Sequence, residues 1–352
     1  MKILVTGGAG FIGSNFIHAV LREHSSDQLV VLDKLTYAGN LKNLETVLQI
    51  GRVQFFRMDI CDPEVTEAAK GCDAVVHFAA ESHVDRSIED ASPFMRTNVE
   101  GTWRLVESCR TAKVGRFLHV STDEVYGSLG PVEKSHENSA LAPTSPYAAS
   151  KAASDLLVQA AVRTFGFPAI ITRCTNNYGP FQFPEKFIPL MISRALTGET
   201  LPVYGDGKNV RDWIHVSDHC RALDLILRKG RDGEIYNVGG GCELENITVA
   251  KKILRALAKR EDLLHFVADR PAHDRRYALD CTKLKNELGW EPLAAFEQGL
   301  LETIRWYQEN QAWLNETRSG EYAKYFDRHY VRRAETLAEI GQSGAGTASL
   351  AK

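Results

Sequence analysis

Two pairs of residues in this 352-residue sequence could carry proton-transfer chemistry. Tyr147 and Lys151 stand four apart, just after Pro146, which suits the first turn of a helix. Their side chains then share one helix face. A free phenol titrates near 10, and a neighbouring ammonium favours the phenolate and lowers that value. Tyr-x-x-x-Lys is thus a means of making a phenolic base near neutral pH, although an inconsequential exposed helix pair has the same spacing. The second pair is Asp123-Glu124, within Ser121-Thr122-Asp123-Glu124-Val125-Tyr126-Gly127. It follows Phe117–Val120, an apolar run that reads as a buried strand, so it lies where that strand ends. Ligands bind at the carboxyl ends of strands in doubly wound sheets. Two adjacent carboxylates there are either solvated loop residues or an acid/base pair. Close carboxyls push their pKa values apart, because both resist ionising together. Spacing does not say which of the two would hold the proton.

The elements that must position these residues begin with Lys2–Thr6, a strand-like run followed by Gly7-Gly8-Ala9-Gly10-Phe11-Ile12-Gly13. Helical spacing then runs through Phe16, Ile17, Val20 and Leu21. Both Gly8-x-Gly10-x-x-Gly13 and the tighter Gly7-x-x-Gly10-x-x-Gly13 fit a dinucleotide fingerprint, in which glycines let a pyrophosphate approach the free N–H groups of a helix start. The next strand, Leu29–Leu32, ends at Asp33, placed to bind the adenosine ribose hydroxyls and to repel a 2′-phosphate. NAD is therefore expected over NADP. Val53–Arg57 is a further strand. Asp59 beyond it either faces the adenine or is a plain loop acid. Ala74–Phe78 reads as a buried strand opening into Ala79-Ala80-Glu81-Ser82-His83-Val84-Asp85-Arg86-Ser87, whose small residues allow packing against a cofactor. A helix is expected from about Phe94 to Ala112, and Ala169–Arg173 reads as the last strand of the dinucleotide sheet. Asn237 lies at the end of the run Glu234-Ile235-Tyr236. Val249–Ala258 and Phe296–Trp313 read as amphipathic helices over a substrate region.

The alternation of strands and helices predicts an α/β, Rossmann-type doubly wound parallel sheet with a smaller C-terminal α/β substrate-binding domain. The expected division is 1–175 for the dinucleotide domain, 176–330 mainly for substrate with some chain crossing back, and 331–352 for a partly disordered tail, small and polar over 341–349. A net charge of −3 leaves no footprint for nucleic acid. No apolar run reaches the roughly 18 residues of a membrane span, and no secretory stretch precedes the first strand. The seven scattered cysteines contain no Cys-x-x-Cys pair and read as free thiols of a cytoplasmic protein. His215-x-x-x-His219 has metal-ligand spacing, but nothing nearby completes a site, so no metal is expected.

The glycine turn, Asp33 and Tyr147-x-x-x-Lys151 together resemble the extended short-chain dehydrogenase/reductase family. Ala79–Ile88, Ser121–Gly127, Arg173-Cys174-Thr175-Asn176-Asn177-Tyr178-Gly179-Pro180 and Arg211-Asp212-Trp213 narrow the resemblance, over residues 1 to about 330, to its dTDP-glucose 4,6-dehydratase branch. That resemblance implies conversion of dTDP-glucose to a 4-keto-6-deoxy sugar nucleotide by carbon 4 oxidation, water elimination across carbons 5 and 6, and hydride return to carbon 6, with NAD regenerated. It assigns Tyr147, with Lys151, to the carbon 4 hydroxyl proton, Thr122 to the carbon 4 oxygen, Asp123 to the departing hydroxyl and Glu124 to the carbon 5 proton. Besides Gly7, Gly10, Gly13 and Asp33, it implies cofactor contacts at Phe11, Ile12, Lys34, Leu35, Thr36, Asp59, Ile60, Phe78, Ala79, Ala80, Ser82, Thr97, Tyr147, Lys151 and Asn177. Substrate contacts are implied at Ser82, Thr122, Asn176, Lys186, Phe187, Ile188, Pro189, Leu190, Pro202, Val203, Tyr204, Arg211, Asn237, Arg270 and His273, with Arg211 suited to a diphosphate. The late loop Asp269–Tyr277 carries Ala272 where the family usually has Gly, a strained choice if that position needs positive φ. A homodimer pairing Val99–Val106 and Tyr147–Val162 is also implied. The alternatives are an NAD-dependent nucleotide-sugar 4-epimerase, which has no use for an elimination pair, and a non-catalytic NAD-binding sensor, which has no need of an intact Tyr-x-x-x-Lys.

Overall fold

The computed structural model describes residues 1–318 and 321–345. Six strands of the first half form its centre: β1 (Lys2–Thr6), β2 (Gln28–Asp33), β3 (Val53–Arg57), β4 (Ala74–His77), β5 (Arg116–Thr122) and β6 (Ala169–Cys174). The apolar runs of the inner strands are buried on both faces, as a parallel sheet covered by helices requires. The second half adds β7 (Asn176–Tyr178), β8 (Leu201–Tyr204), β9 (Val210–His215), β10 (Ile235–Val238), β11 (Glu243–Glu245) and β12 (Leu264–Val267). The main sheet runs β10-β6-β5-β4-β1-β2-β3, all parallel. Strand order reverses between β1 and β4, which opens a crevice at their carboxyl ends.

Ala169–Arg173 is therefore not the last strand of this sheet. β10, from the second half, pairs outside it with Ile235 opposite Ile171. An isolated four-residue run does not reveal that partner. Asn237 correspondingly sits within β10 and not at a strand end. The remaining strands form two small sheets, β11-β9-β7 and β12-β8. A separate apolar core joins the helices Phe187–Thr197, Asn246–Ala256 and Phe296–Glu309 through residues such as Met191, Ile253 and Tyr307.

Three helical expectations change. The Phe94–Ala112 stretch is helical but widens to a π-helix over Met95–Gly101, where Asn98 turns inward to bond Glu81 and Ser150. Phe296–Trp313 breaks at Asn310, between Phe296–Glu309 and Gln311–Thr317. The tail expected to be partly disordered over 331–352 is helical through Arg333–Ala345, preceded by Glu321–Phe326 and a π turn, Asp327–Val331. Tyr322, Tyr325, Phe326 and Tyr330 recur at helical spacing. Tyr322 packs on Phe183, Tyr325 on His83, and Tyr330 on both Phe326 and Tyr204, so aromatic burial offsets the polar composition. Residues 346–352 of that expectation lie outside the described residues.

Candidate active site

The crevice at the switch point is lined at one end by Gly7, Gly10 and Gly13, and at the other by Asp123, Tyr147 and Lys151. Gly7 adopts φ +69°, and a Cβ on it would meet the Ala79 nitrogen at 2.6 Å. A Cβ on Gly13 would fall 2.3 Å from the Gly7 carbonyl oxygen. Gly8 instead faces Val31 and Ile17, so its job is seating the helix on the sheet, and the tighter glycine pattern borders the cleft. Gly10 caps the Phe11–Glu23 helix without any side-chain hydrogen bond, which leaves the first N–H groups available to an anion. This cradle fits a pyrophosphate.

Asp33 ends β2 with its carboxylate accepting from the Ala9 and Leu35 amides at 2.9 and 2.8 Å. Burial, partly offset by those two bonds, raises its pKa. Leu35, at φ +57°, contributes its backbone and is not part of the cleft lining. Lys34, Thr36, Asp59, Ile60, Ala79, Ala80, Ser82 and Thr97 do line it, with Phe11, Ile12 and Phe78. Asp59 pairs with Lys34 at 2.8 Å.

At the end of β5, Thr122 caps a short 3-10 turn over Asp123–Tyr126 and accepts from the Glu124 amide. Its hydroxyl donates to Asp123 Oδ1 at 3.2 Å. Asp123 is 3% exposed and its Oδ2 has no partner among the described residues. Burial, then the charges of Glu124 and Asp212, holds its carboxyl well above the usual range. Glu124 is half-buried; burial raises it too, but Arg270, Lys186 and Arg211 pull the other way. The two acids thus sit in unequal surroundings, Asp123 beside other acids and Glu124 facing cations.

Tyr147 and Lys151 emerge from the first turns of the Pro146–Phe165 helix, capped by Ser145. The expectation that Lys151 lowers the phenol is not met. Burial pushes Tyr147 well up, followed by Glu124 and Cys174, with a Thr122 hydrogen bond opposing. The Lys151 ammonium donates to the Val120 carbonyl at 2.9 Å, and burial lowers it to about 8. Helical spacing places the two residues on one face but does not show where the ammonium points.

Asn176 and Asn177 follow β6 into the cleft. The Asn177 side chain is held by the Thr175 carbonyl and by His219 Nδ1 at 2.9 Å. His215 caps the Val216–Lys229 helix and packs edge-on against Tyr178. The two histidines thus serve different neighbours.

Of the substrate candidates in 186–190, Lys186 lines the cleft and Phe187 stacks on Trp213. Ile188 and Leu190 turn into the second core, and Pro189 is buried in the same helix, because helical residues rotate about 100° each. Pro202 and Val203 are buried in β8; Tyr204 stacks against Tyr330 and donates to Asp85. The Asn237 amide is committed to the framework: its nitrogen donates to the Ser135 and Asp280 carbonyls and its oxygen accepts from Tyr126. It is fully buried. Arg211 donates to the Val210 and Asp274 carbonyls with its guanidinium over the Tyr277 ring. Arg270 keeps a buried Nε without a partner among the described residues, and His273 pairs with Asp269. Ala272 does take positive φ, +49°.

Sequence reasoning missed Glu185 and Phe183 on the cleft wall and Tyr325 behind it. Glu185 is nearly fully buried yet ion-paired with Arg86, a status that only the fold reveals.

Residues 4–303 match the GDP-mannose 4,6 dehydratase family. The chain is 52% identical over 328 residues to a dTDP-glucose 4,6-dehydratase of Streptomyces niveus, covering 92% of this chain and 97% of that one. It superimposes on DesIV, a dTDP-glucose 4,6-dehydratase from Streptomyces venezuelae solved with NAD bound, at TM-score 0.88 and 51% identity over 90% of this chain and 100% of that one. A UDP-glucuronic acid 4-epimerase from Bacillus cereus gives TM-score 0.83 at 28% identity, over 88% and 99%.

Proposed function

Because the chain belongs to the dTDP-glucose 4,6-dehydratase family, we propose that it converts dTDP-glucose to dTDP-4-keto-6-deoxyglucose with NAD held in the switch-point cleft. When bound, NAD supplies the oxidant for carbon 4 and returns the same hydrogen at carbon 6. Gly7, Gly10 and Gly13 cradle its pyrophosphate, and Asp33 takes the ribose hydroxyls. Tyr147 accepts the proton of the carbon 4 hydroxyl, with Thr122 holding the same oxygen; because burial raises the phenol, its ionised form would need the positive charge of Lys151 and of the bound nicotinamide ring beside it. The new ketone acidifies carbon 5. Glu124 takes that proton, Asp123 gives one to the carbon 6 hydroxyl, and water departs. Arg211, Arg270 and Lys186 bring positive charge to the diphosphate.

The observation that carries this reading is the buried Asp123 carboxyl, with its free Oδ2, beside Glu124. Burial raises both carboxyls, but the neighbouring acids push Asp123 further and suit it to give a proton, whereas the cations around Glu124 favour its ionised form and suit it to take one. A 4-epimerase shares the Tyr147 chemistry but has no elimination to perform. The test uses dTDP-glucose deuterated at carbon 4. The expected result is label migration to carbon 6 with loss of water; label kept on carbon 4 of an inverted sugar sinks the reading. Asp123→Asn is expected to slow elimination by roughly 10²-fold or more while carbon 4 oxidation persists.

The enzyme works as a homodimer in the cytoplasm on this reading. The dimer is supported by the exposed Leu156 and Met95 on neighbouring helices, the location by seven free thiols.

A further inference from the structure

Residues 34–40 form one lip of the cleft, with Lys34, Thr36, Ala38 and Gly39 in its lining. Phe183 and Glu185 belong to the opposite lip, in the second half of the chain. Arg86 joins them. Its Nε donates to Glu185 Oε2 at 3.0 Å, and the Glu185 side chain is 1% exposed. The guanidinium lies 4.0 Å from the Tyr37 ring centre and 4.5 Å from that of Tyr325. Among the described residues Arg86 Nη2 is buried with no hydrogen-bond partner, so the two rings are what it has on those faces. Tyr37 also meets Phe183 edge-on, at 5.8 Å. Tyr325 is in turn packed on His83. One cation therefore ties together the cofactor lip, the opposite lip and the late helix Glu321–Phe326, which carries Tyr325.

We propose that Arg86, clasped between Tyr37 and Tyr325 and paired with Glu185, is a positioning residue that latches the two lips over the dinucleotide and keeps it bound through the whole reaction. This rests on the reading that NAD occupies the cleft. The reaction has a chemical need for such a latch. Hydrogen removed at carbon 4 must return to the same sugar at carbon 6, so a cofactor lost midway strands the sugar half-reacted and leaves the protein in the wrong redox state. A cation between two rings, in a site drier than the surface, is worth more than an exposed one.

The test loads the full-length protein with NAD, removes free nucleotide by rapid desalting, and follows release by quantifying nucleotide in the filtrate over time. Arg86→Lys keeps the charge and loses the planar stacking. Tyr37→Leu removes one ring and the phenol's hydrogen bond to Glu185 but leaves Arg86 as the ion partner of that carboxylate. Both variants are expected to release NAD at least roughly tenfold faster than the wild type, the effect of losing about 1.4 kcal/mol. Their progress curves on dTDP-glucose should bend with time and be straightened by added NAD. Release within twofold of wild type in both variants overturns the latch, as does a bend that added NAD leaves unchanged. A wild-type protein that takes up no NAD overturns the cofactor reading itself, and the latch with it.

Discussion

Lys151 is 4% exposed, its ammonium has the Val120 carbonyl as acceptor, and burial lowers its pKa from 10.5 to about 8. Below pH 8 both the folded and the unfolded chain hold the proton, and the folded state bears the full penalty of the buried charge. Between about 8 and 10.5 the folded state releases its proton first, so this group's contribution to stability rises with pH. The penalty at neutral pH is about 3 kcal/mol by linkage, and the hydrogen bond to Val120 is worth about 1 kcal/mol. Lys151→Met is therefore expected to stabilise the cofactor-free protein at pH 7 by about 2 kcal/mol, with the gain shrinking as pH approaches 10.5, while turnover is lost. Thermal denaturation at pH 7 and pH 10 checks it; a variant less stable than wild type at pH 7 refutes it. At this scale residue type and spacing suffice to locate Tyr147, Lys151, Asp123 and Glu124, and all four line one cleft. They do not show the direction of the phenol's shift, because desolvation depends on what the fold packs around it.

The late loop shows the same limit one level up. Ala272 is legible in the sequence as a misfit only if its position needs positive φ, and it sits at +49°, exposed, between Arg270 and His273. A left-handed residue costs an L-amino acid about 1–2 kcal/mol, which glycine avoids at a cost of roughly 0.5–1 kcal/mol in unfolded-state entropy. Ala272→Gly should thus be neutral or stabilising by up to about 1 kcal/mol. Ala272→Val places a β-branched residue in a region it rarely adopts, and should raise KM for dTDP-glucose by disturbing Arg270 and His273. Steady-state kinetics and melting of both variants decide it; a Val variant indistinguishable from the Gly variant shows that the loop carries no strain. Strands such as β1 and β5 are legible because their apolar runs are local. The pairing of β10 with β6, the inward bond of Asn98 from the π-helix at Met95–Gly101, and the aromatic helices after 321 are not, since each depends on partners distant in sequence.

At the scale of the whole molecule, the Pro146–Phe165 helix has two faces with different duties. Tyr147, Lys151, Asp155 and Val158 point inward, whereas Leu156, Ala160 and Arg163 are exposed, Leu156 by 57%. The neighbouring helical stretch exposes Met95 by 43%, with Val99 and Trp103 half-covered. Val106, one bound of the pairing expected from sequence, faces the sheet core and contributes nothing outward. Small and apolar residues among the outward positions suit close helix packing against a second copy. Pairing there would brace, from behind, the helix that holds Tyr147 and Lys151. Leu156→Glu places a charge on that face, where burial without a partner is costly. Sedimentation of the wild type at micromolar concentration should give a dimer, and of the variant a monomer with reduced turnover. A wild-type monomer, or a variant that stays dimeric, would exclude this face as the interface.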